Sequence, residues 1–236
     1  MSGGVDSSVA ALLLLEANYE VLGITMLHFD ADSEDTAPSA AEEAAMICRH
    51  LGIPHQVVDL RDRFRKSVID GFVAEYLAGR TPNPCVLCNL TIKWGALCKF
   101  ALESGADLFA TGHYARLVPA PPGGRHLLRR AANLDKDQSY ALWRLTQEQL
   151  ARTLFPRGDL TKSEVRAIAT AHGLPAAHKT ESQEICFIHD DNYQRFLAEE
   201  LEQRGITIAE GEIITVEGKR VGRHRGYPYY TIGQRQ

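Results

Sequence analysis

Three apolar stretches of the chain read as buried strands: Val21–Leu27, His55–Leu60 and Asp107–Thr111. They alternate with helical patterns near 7–18, 39–51, 62–78 and 92–104. This alternation predicts an α/β fold with a parallel sheet and flanking helices. Ser39 and Glu42 fit a capping box directly after Pro38, and Gly52 fits the end of that helix.

From about residue 146 the pattern turns helical. Thr161 with Glu164 forms a second capping box, for a helix that stops near Gly173. Another helix is expected from Asp191 to Arg204, ending at Gly205. Short β-like pieces follow at Glu212–Val216, Arg220–Val221 and Tyr229–Ile232. The change predicts a first domain over 1–203 and an incomplete β-rich domain over 204–236. Asp30–Asp35 and Pro119–Gly124 read as surface loops, the second lying between β-like segments.

Composition narrows the class without naming it. The 236 residues are 44% apolar and 24% charged, the balance of an ordinary globular chain. The longest fully apolar run, Val9–Leu15, has seven residues, against the roughly 20 that a membrane span needs. No membrane partner is expected, and the default location is the cytoplasm. The net charge of −4 argues against nonspecific coating of nucleic acid and leaves room for a local basic patch. Residues 219–235 supply one, with Lys219, Arg220, Arg223, Arg225 and Arg235 interleaved with Tyr227, Tyr229 and Tyr230.

Two motifs carry chemistry. Residues 2–8 (SGGVDSS) precede a helix expected to begin near Ser7. Paired glycines let a backbone approach a phosphate closely, and serine hydroxyls with a helix N-terminus add donors. Neither GxxxxGK[ST] nor GxGxxG is present, so the common ATPase and dinucleotide patterns do not apply. Among the five cysteines, Cys85 and Cys88 form a CxxC after a Pro-rich turn, and Cys186 lies in a polar stretch leading into Phe187. A thiolate at a helix N-terminus has its pKa lowered, which suits a nucleophile. Spacing alone leaves three readings open: a sulfur-handling or redox site, a metal site, and buried cysteines without chemistry. Cys48 and Cys98 sit in apolar helical patterns and read as core.

The SGGVDSS motif resembles the PP-loop of ATP pyrophosphatases, enzymes that split ATP between the α- and β-phosphates. Further motifs follow in order: GRTPNPCVLCN (79–89), ATGHYAR (110–116), KDQSYALWRLTQEQL (136–150), LFPRGDLTKSEVR (154–166), ESQEICFI (181–188) and YYTIGQR (229–235). Taken as a series over nearly the whole chain, they resemble the tRNA-specific 2-thiouridylase family. That resemblance implies a PP-loop domain of adenine nucleotide α-hydrolase type. It also implies ATP-dependent 2-thiolation of the wobble uridine of tRNA, through adenylation of uridine O2.

Carried over by residue, Met1, Ser2, Gly3, Gly4, Val5, Asp6 and Ser7 would hold ATP, with Met26 and Gly112 against the adenosine. Asn83, Pro84 and Cys85 would face the target base, and His113, Lys136, Asp137 and Gln138 would contact tRNA. Cys88 would be the nucleophile and Cys186 the persulfide carrier, the pair closing to a disulfide after transfer. The implied partners are tRNA and a sulfur-donor protein, either a persulfide relay or a cysteine desulfurase. Mg2+ is implied with ATP, and the alternative to the persulfide is a [4Fe-4S] cluster on Cys85, Cys88 and Cys186.

Two departures from the family pattern matter. Cys85 stands where many relatives have Asp. The chain also begins one residue before the loop and stops at Gln236, so it reads as truncated at both ends, with a poorly anchored loop. The competing readings are an inactive remnant that binds ATP or tRNA, and another PP-loop ligase or amidotransferase.

Overall fold

The computed structural model describes residues 1–29, 39–179, 185–188 and 190–234. Its helices and strands, numbered in chain order, begin with α1 (Val5–Glu16), β1 (Gly23–Leu27), α2 (Ala40–Leu51), β2 (His55–Asp59), α3 (Arg61–Phe64) and α4 (Asp70–Leu77). Next come α5 (Pro84–Cys88), α6 (Cys98–Glu103), β3 (Phe109–Ala110), β4 (Ala115–Val118), β5 (Leu127–Arg130) and α7 (Gln147–Ala151). The remainder are β6 (Thr153–Leu154), α8 (Lys162–Ala171), α9 (Tyr193–Gln203), β7 (Gly211–Ile214) and β8 (Arg220–His224). The acidic loop at Asp30–Asp35 and residues 181–184 of the Cys186 motif lie outside the described residues.

Residues 1–64 and 85–181 form one compact unit, and residues 65–84 and 182–236 form a second. In the first, β1 and β2 pair in parallel from Gly23↔His55 to Leu27↔Asp59. A second parallel pair joins β3 to β6, while β4 and β5 form an antiparallel hairpin around the 119–124 turn. Helices cover both faces. On one, Val5, Val9 and Leu12 of α1 pack with Ile47 of α2 and with Val165 and Ala169 of α8. On the other, Ile24 and Phe109 pack against Trp94, Leu97, Cys98 and Ala101. Cys48 and Cys98 are buried, as their apolar surroundings in sequence require.

Local signals decide several boundaries. Both capping boxes form: Ser39 accepts from the Glu42 amide and Thr161 from the Glu164 amide, each glutamate bonding back to its cap backbone. Gly52 closes α2 at φ 69°, a left-handed conformation that a Cβ disfavours. The expected helix over 92–104 starts earlier, at Pro84, because proline is at home in a first turn. It runs to Glu103 through a π-helical stretch, Asn89–Leu97. By length and composition this run could cross a membrane, yet Asn89, Ile92, Trp94, Leu97 and Ala101 are buried in the unit. It is a core helix. The expected helix over 62–78 is interrupted by a π-helical turn at Arg65–Ile69. Only Phe109–Ala110 of the third expected strand pairs.

The second unit is held by an aromatic cluster. Phe72 meets Tyr76, Phe187 and Phe196 edge-on, with ring centroids 5.0, 5.4 and 6.1 Å apart. Glu200 is almost fully buried and takes both guanidinium nitrogens of Arg65, at 2.6 and 2.8 Å. Strands β7 and β8 overlap the first two expected β-like pieces and pair antiparallel. Tyr229–Ile232 is not a strand, because Gly226 (φ 141°) and Pro228 turn the chain into a 3-10 turn at Tyr227–Tyr229. The basic tail is partly neutralised: Arg220 pairs with Glu212 at 3.1 Å and Arg223 with Glu210 at 3.2 Å.

Candidate functional site

The SGGVDSS segment turns directly into a helix. Helix α1 starts at Val5, inside the motif and two residues earlier than expected, with Gly4 as an N-cap that makes no side-chain hydrogen bond. Its first amides therefore lack a side-chain acceptor, and the helix dipole points at the same place, an arrangement suited to phosphate. The serines close the loop: Ser7 and Ser8 hydroxyls donate to Gly4 O at 3.1 and 2.8 Å, and the Ser2 amide donates to Ser7 Oγ at 3.2 Å. Gly3 has φ 72°, and a Cβ there would stand 2.7 Å from Glu43 Oε2.

The loop is well anchored, contrary to the sequence expectation. The backbone nitrogen of Met1 donates to Ile24 O of β1. Arg157, fully buried, donates to both the Asp6 carboxylate and Gly112 O, and its guanidinium lies 3.8 Å from the centre of the Tyr114 ring. Lys162 adds a second cation, its ammonium 2.8 Å from Asp6 Oδ1. Gly112 packs on the loop so closely that a Cβ would meet Asp6 C, Asp6 O and Ser7 N at 3.0, 3.0 and 3.1 Å. Two motifs more than a hundred residues apart in sequence thus form one surface.

A cavity of about 790 Å³ runs along β1 and β3, from residues 19–22 and 104–108 before these strands to Met26, Gly112 and Gln138 at their far ends, where Met1, Ser7 and Lys93 also border it. Met26 and Gly112 lie at or just past the C-terminal ends of these parallel strands, where open α/β sheets bind ligands. His113 also borders the cavity but is buried, with Thr111 Oγ1 2.8 Å from Nδ1 and Lys93 Nζ 3.4 Å from Nε2. Burial, then Lys93 and Arg157, holds its pKa well below the ordinary histidine value, so the ring is neutral.

The other tRNA candidates take local positions. Asp137 accepts from the Ala131 amide and the Ser139 hydroxyl, both at 2.7 Å. Gln138 Oε1 accepts from the Tyr114 amide at 2.9 Å, fixing the 136–138 segment against the start of the hairpin. Lys136 ends a 3-10 turn, Leu134–Lys136, and is half-buried.

Asn83 and Cys85 are exposed at the start of the long helix, while Pro84 is buried. Cys88 is buried at the end of α5, and this corrects the expected activation by a helix N-terminus. Burial raises its thiol pKa, opposed by the nearby Lys93 charge and reinforced by Cys85. Cys186 is exposed, in the second unit. No group of three or more His, Cys, Asp or Glu side chains able to hold a metal occurs among the described residues. Asp6 is the one carboxylate of the loop, and it is engaged by two cations.

Sequence reasoning missed Arg157 and Lys162, although both lie in the LFPRGDLTKSEVR motif. It also passed over Tyr140 and Trp143, which are 59% and 70% exposed beside the 136–138 segment.

These features define a PP-loop nucleotide-binding domain followed by a small β-rich segment. Residues 1–190 match the tRNA methyl transferase HUP domain, and residues 194–236 match the tRNA methyl transferase PRC-barrel domain. Over its full length the chain is 53% identical to the tRNA-specific 2-thiouridylase MnmA of Pelobacter propionicus and 49% identical to that of Moorella thermoacetica. It spans 65% and 67% of the lengths of those two relatives. Among solved structures, the U34-tRNA thiolase NcsA from Methanococcus maripaludis with its [4Fe-4S] cluster aligns with 86% of this chain and 64% of that one, at 19% identity and a TM-score of 0.49. This chain belongs to the tRNA-specific 2-thiouridylase family.

Proposed function

We propose that the protein catalyses ATP-dependent 2-thiolation of the wobble uridine of tRNA. The observation that carries this reading is the joining of the PP-loop to Gly112 through Arg157, which makes one nucleotide-binding surface beside a cavity. Identity of about half to enzymes named for this activity supports the choice of substrate.

In this reading residues 1–203 are the catalytic domain and 204–236 part of a β-rich domain. Residues 1–7 receive the triphosphate, and Met26 and Gly112 receive the adenosine. Asn83, Pro84 and Cys85 present the uridine, while His113, Lys136, Asp137 and Gln138 shape the tRNA side. Magnesium fits as an ion carried on the phosphates, since Asp6 is the loop's one carboxylate and magnesium relies on substrate oxygens. It would offset charge building on pyrophosphate.

Uridine O2 attacks the α-phosphorus of ATP, and pyrophosphate leaves. A separate sulfur-donor protein loads Cys186 with a persulfide. The Cys88 thiolate, having lost its proton, attacks Sγ of Cys186 and releases hydrosulfide. Hydrosulfide adds to the activated C2 and AMP departs, leaving the C2–S bond. The two thiols end as a disulfide, which supplies the electron pair, and a reductant restores them. Exposure of Cys186 suits loading by another protein, and burial of Cys88 suits a thiol protected from adventitious oxidation.

The test is an anaerobic single turnover with ATP, magnesium, unmodified tRNA and sulfide, with 2-thiouridine read by nucleoside mass spectrometry. Product with stoichiometric pyrophosphate supports the reading; pyrophosphate without thiouridine, or neither, contradicts it. Methyl transfer, which the names of the matched domains suggest, would release no pyrophosphate and is separated by the same assay.

A further inference from the structure

The loop has no basic residue of its own: residues 2–8 contain one acid, Asp6, and no lysine or arginine. A triphosphate arriving there brings several negative charges, so any side-chain cation that meets it beside its magnesium comes from elsewhere in the chain. Two converge on Asp6, and their surroundings differ.

Arg157 has a side chain only 1% exposed, and it is committed to protein partners: Asp6 on one side, Gly112 O on another, and the Tyr114 ring against its face. A guanidinium so enclosed acts as a bracket between the two motifs. Lys162 is 12% exposed, its ammonium on a flexible four-carbon stem that reaches Asp6 from the first residue of α8. The two helix N-termini near Asp6 also differ. That of α8 is closed by Thr161 and by the ionised Glu164, whose carboxylate accepts from the Thr161 amide at 2.7 Å. That of α1 has no side-chain cap. Helix α8 therefore offers an anion no free end and contributes a lysine instead.

We infer that Lys162 is the phosphate-binding cation of the nucleotide site, held ready on Asp6 and moved onto the triphosphate when ATP enters, while Arg157 stays as a positioning residue. This rests on the reading of residues 1–7 as an ATP site. Transfer of Lys162 conserves charge pairing, because the buried Arg157 still neutralises Asp6. Of the other lysines near the loop, Lys93 lies 3.4 Å from His113 Nε2, and Lys179 is engaged by Glu43, whose carboxylate lies against Gly3, so that it offsets that acid rather than the phosphates.

Binding of ATP and of adenosine to the whole chain, followed by calorimetry in magnesium buffer, tests this. Lys162→Met is expected to weaken ATP about ten- to a hundredfold, the range of one charge-assisted hydrogen bond, and to leave adenosine unchanged. Lys162→Arg is expected to recover most of the ATP affinity, and Lys179→Met to change it less than threefold. A purely structural role for Lys162 would move ATP and adenosine together, and that result overturns the proposal, as does loss of ATP affinity in Lys179→Met alone. ATP binding by the parent chain with equal affinity in Lys162→Met defeats this inference and leaves the ATP site standing; no ATP binding by the parent defeats both. A second measurement needs no variant. Acylation of Lys162 in the parent chain, read by peptide mass spectrometry, is expected to be blocked by ATP and not by adenosine, and equal labelling with and without ATP contradicts the assignment.

Discussion

Asp6 and Cys88 stand at the two ends of the proposed chemistry, nucleotide and sulfur, and the protein holds them by opposite means. Asp6 is fixed by two cations brought from 151 and 156 residues away. Cys88 is kept neutral, its thiol enclosed by apolar packing that outweighs the nearby Lys93. The nucleotide side belongs to a single compact unit, whereas the two cysteines are divided between units. The contrast teaches that the proposed ATP half of the site is held by ion pairs and close packing within one unit. In the proposed sulfur half, burial lowers the reactivity of the Cys88 thiol.

The most severe way to break this contrast is on the sulfur side. With sulfur supplied by a persulfide-donating protein rather than free sulfide, Cys186→Ala is expected to abolish thiouridine formation while pyrophosphate release with tRNA persists. Loss of pyrophosphate release in a folded variant would remove Cys186 from the role of carrier. On the nucleotide side, Arg157→Met leaves the Asp6 carboxylate and Gly112 O without their buried partner. It is expected to lower unfolding stability by about 3 kcal/mol in urea melts, near the low end for a broken buried pair because Asp6 is one-third exposed and keeps Lys162. A change under about 1 kcal/mol would mean that the bracket holds nothing. Gly112→Ala forces a methyl against the Asp6 and Ser7 backbone and should cost about 1–3 kcal/mol of overpacking, seen as weaker ATP binding.

A fourth test sharpens the contrast through pH. Because burial favours the neutral thiol, the Cys88 thiolate forms at higher pH than that of an ordinary cysteine, whose value is 9.0. Its alkylation rate, followed in a Cys85→Ser, Cys186→Ser background, is expected to keep rising as pH passes that value. A plateau near neutrality would show an activated thiolate instead. The smallest effect belongs to the caps: Ser39→Ala should destabilise the fold by about 1 kcal/mol in urea melts, with ATP affinity unchanged.

What could be read from the chain follows the range of the interactions involved. The caps at Ser39 and Thr161 and the stop at Gly52 were legible because each signal lies within a few residues of the boundary it sets. Strand β1 was legible because burial leaves a continuous apolar run, whereas β2 pairs where a buried strand was expected although none of its residues is buried and Val57 is exposed. The start of the helix at Pro84 was not, since a Pro-rich stretch reads as a turn until packing shows proline in the first turn of a helix. At Tyr229–Ile232 aromatic and β-branched residues favour a strand, but Gly226 and Pro228 impose a turn. Within the site, the loop and the cysteines stood out by residue type. Arg157 and Lys162 did not, because only the fold brings them to Asp6, and the thiol shift at Cys88 depends on neighbours that the CxxC spacing does not reveal.

The claim that the nucleotide site exists to activate the uridine carbonyl has one direct test. A tRNA carrying a heavy-oxygen label at O2 of the wobble uridine would be turned over once with ATP and a sulfur source, and the AMP released would be weighed by mass spectrometry. The account predicts one labelled oxygen in each AMP formed per thiouridine. Unlabelled AMP alongside thiouridine would show that O2 never reached the α-phosphorus, and would contradict it.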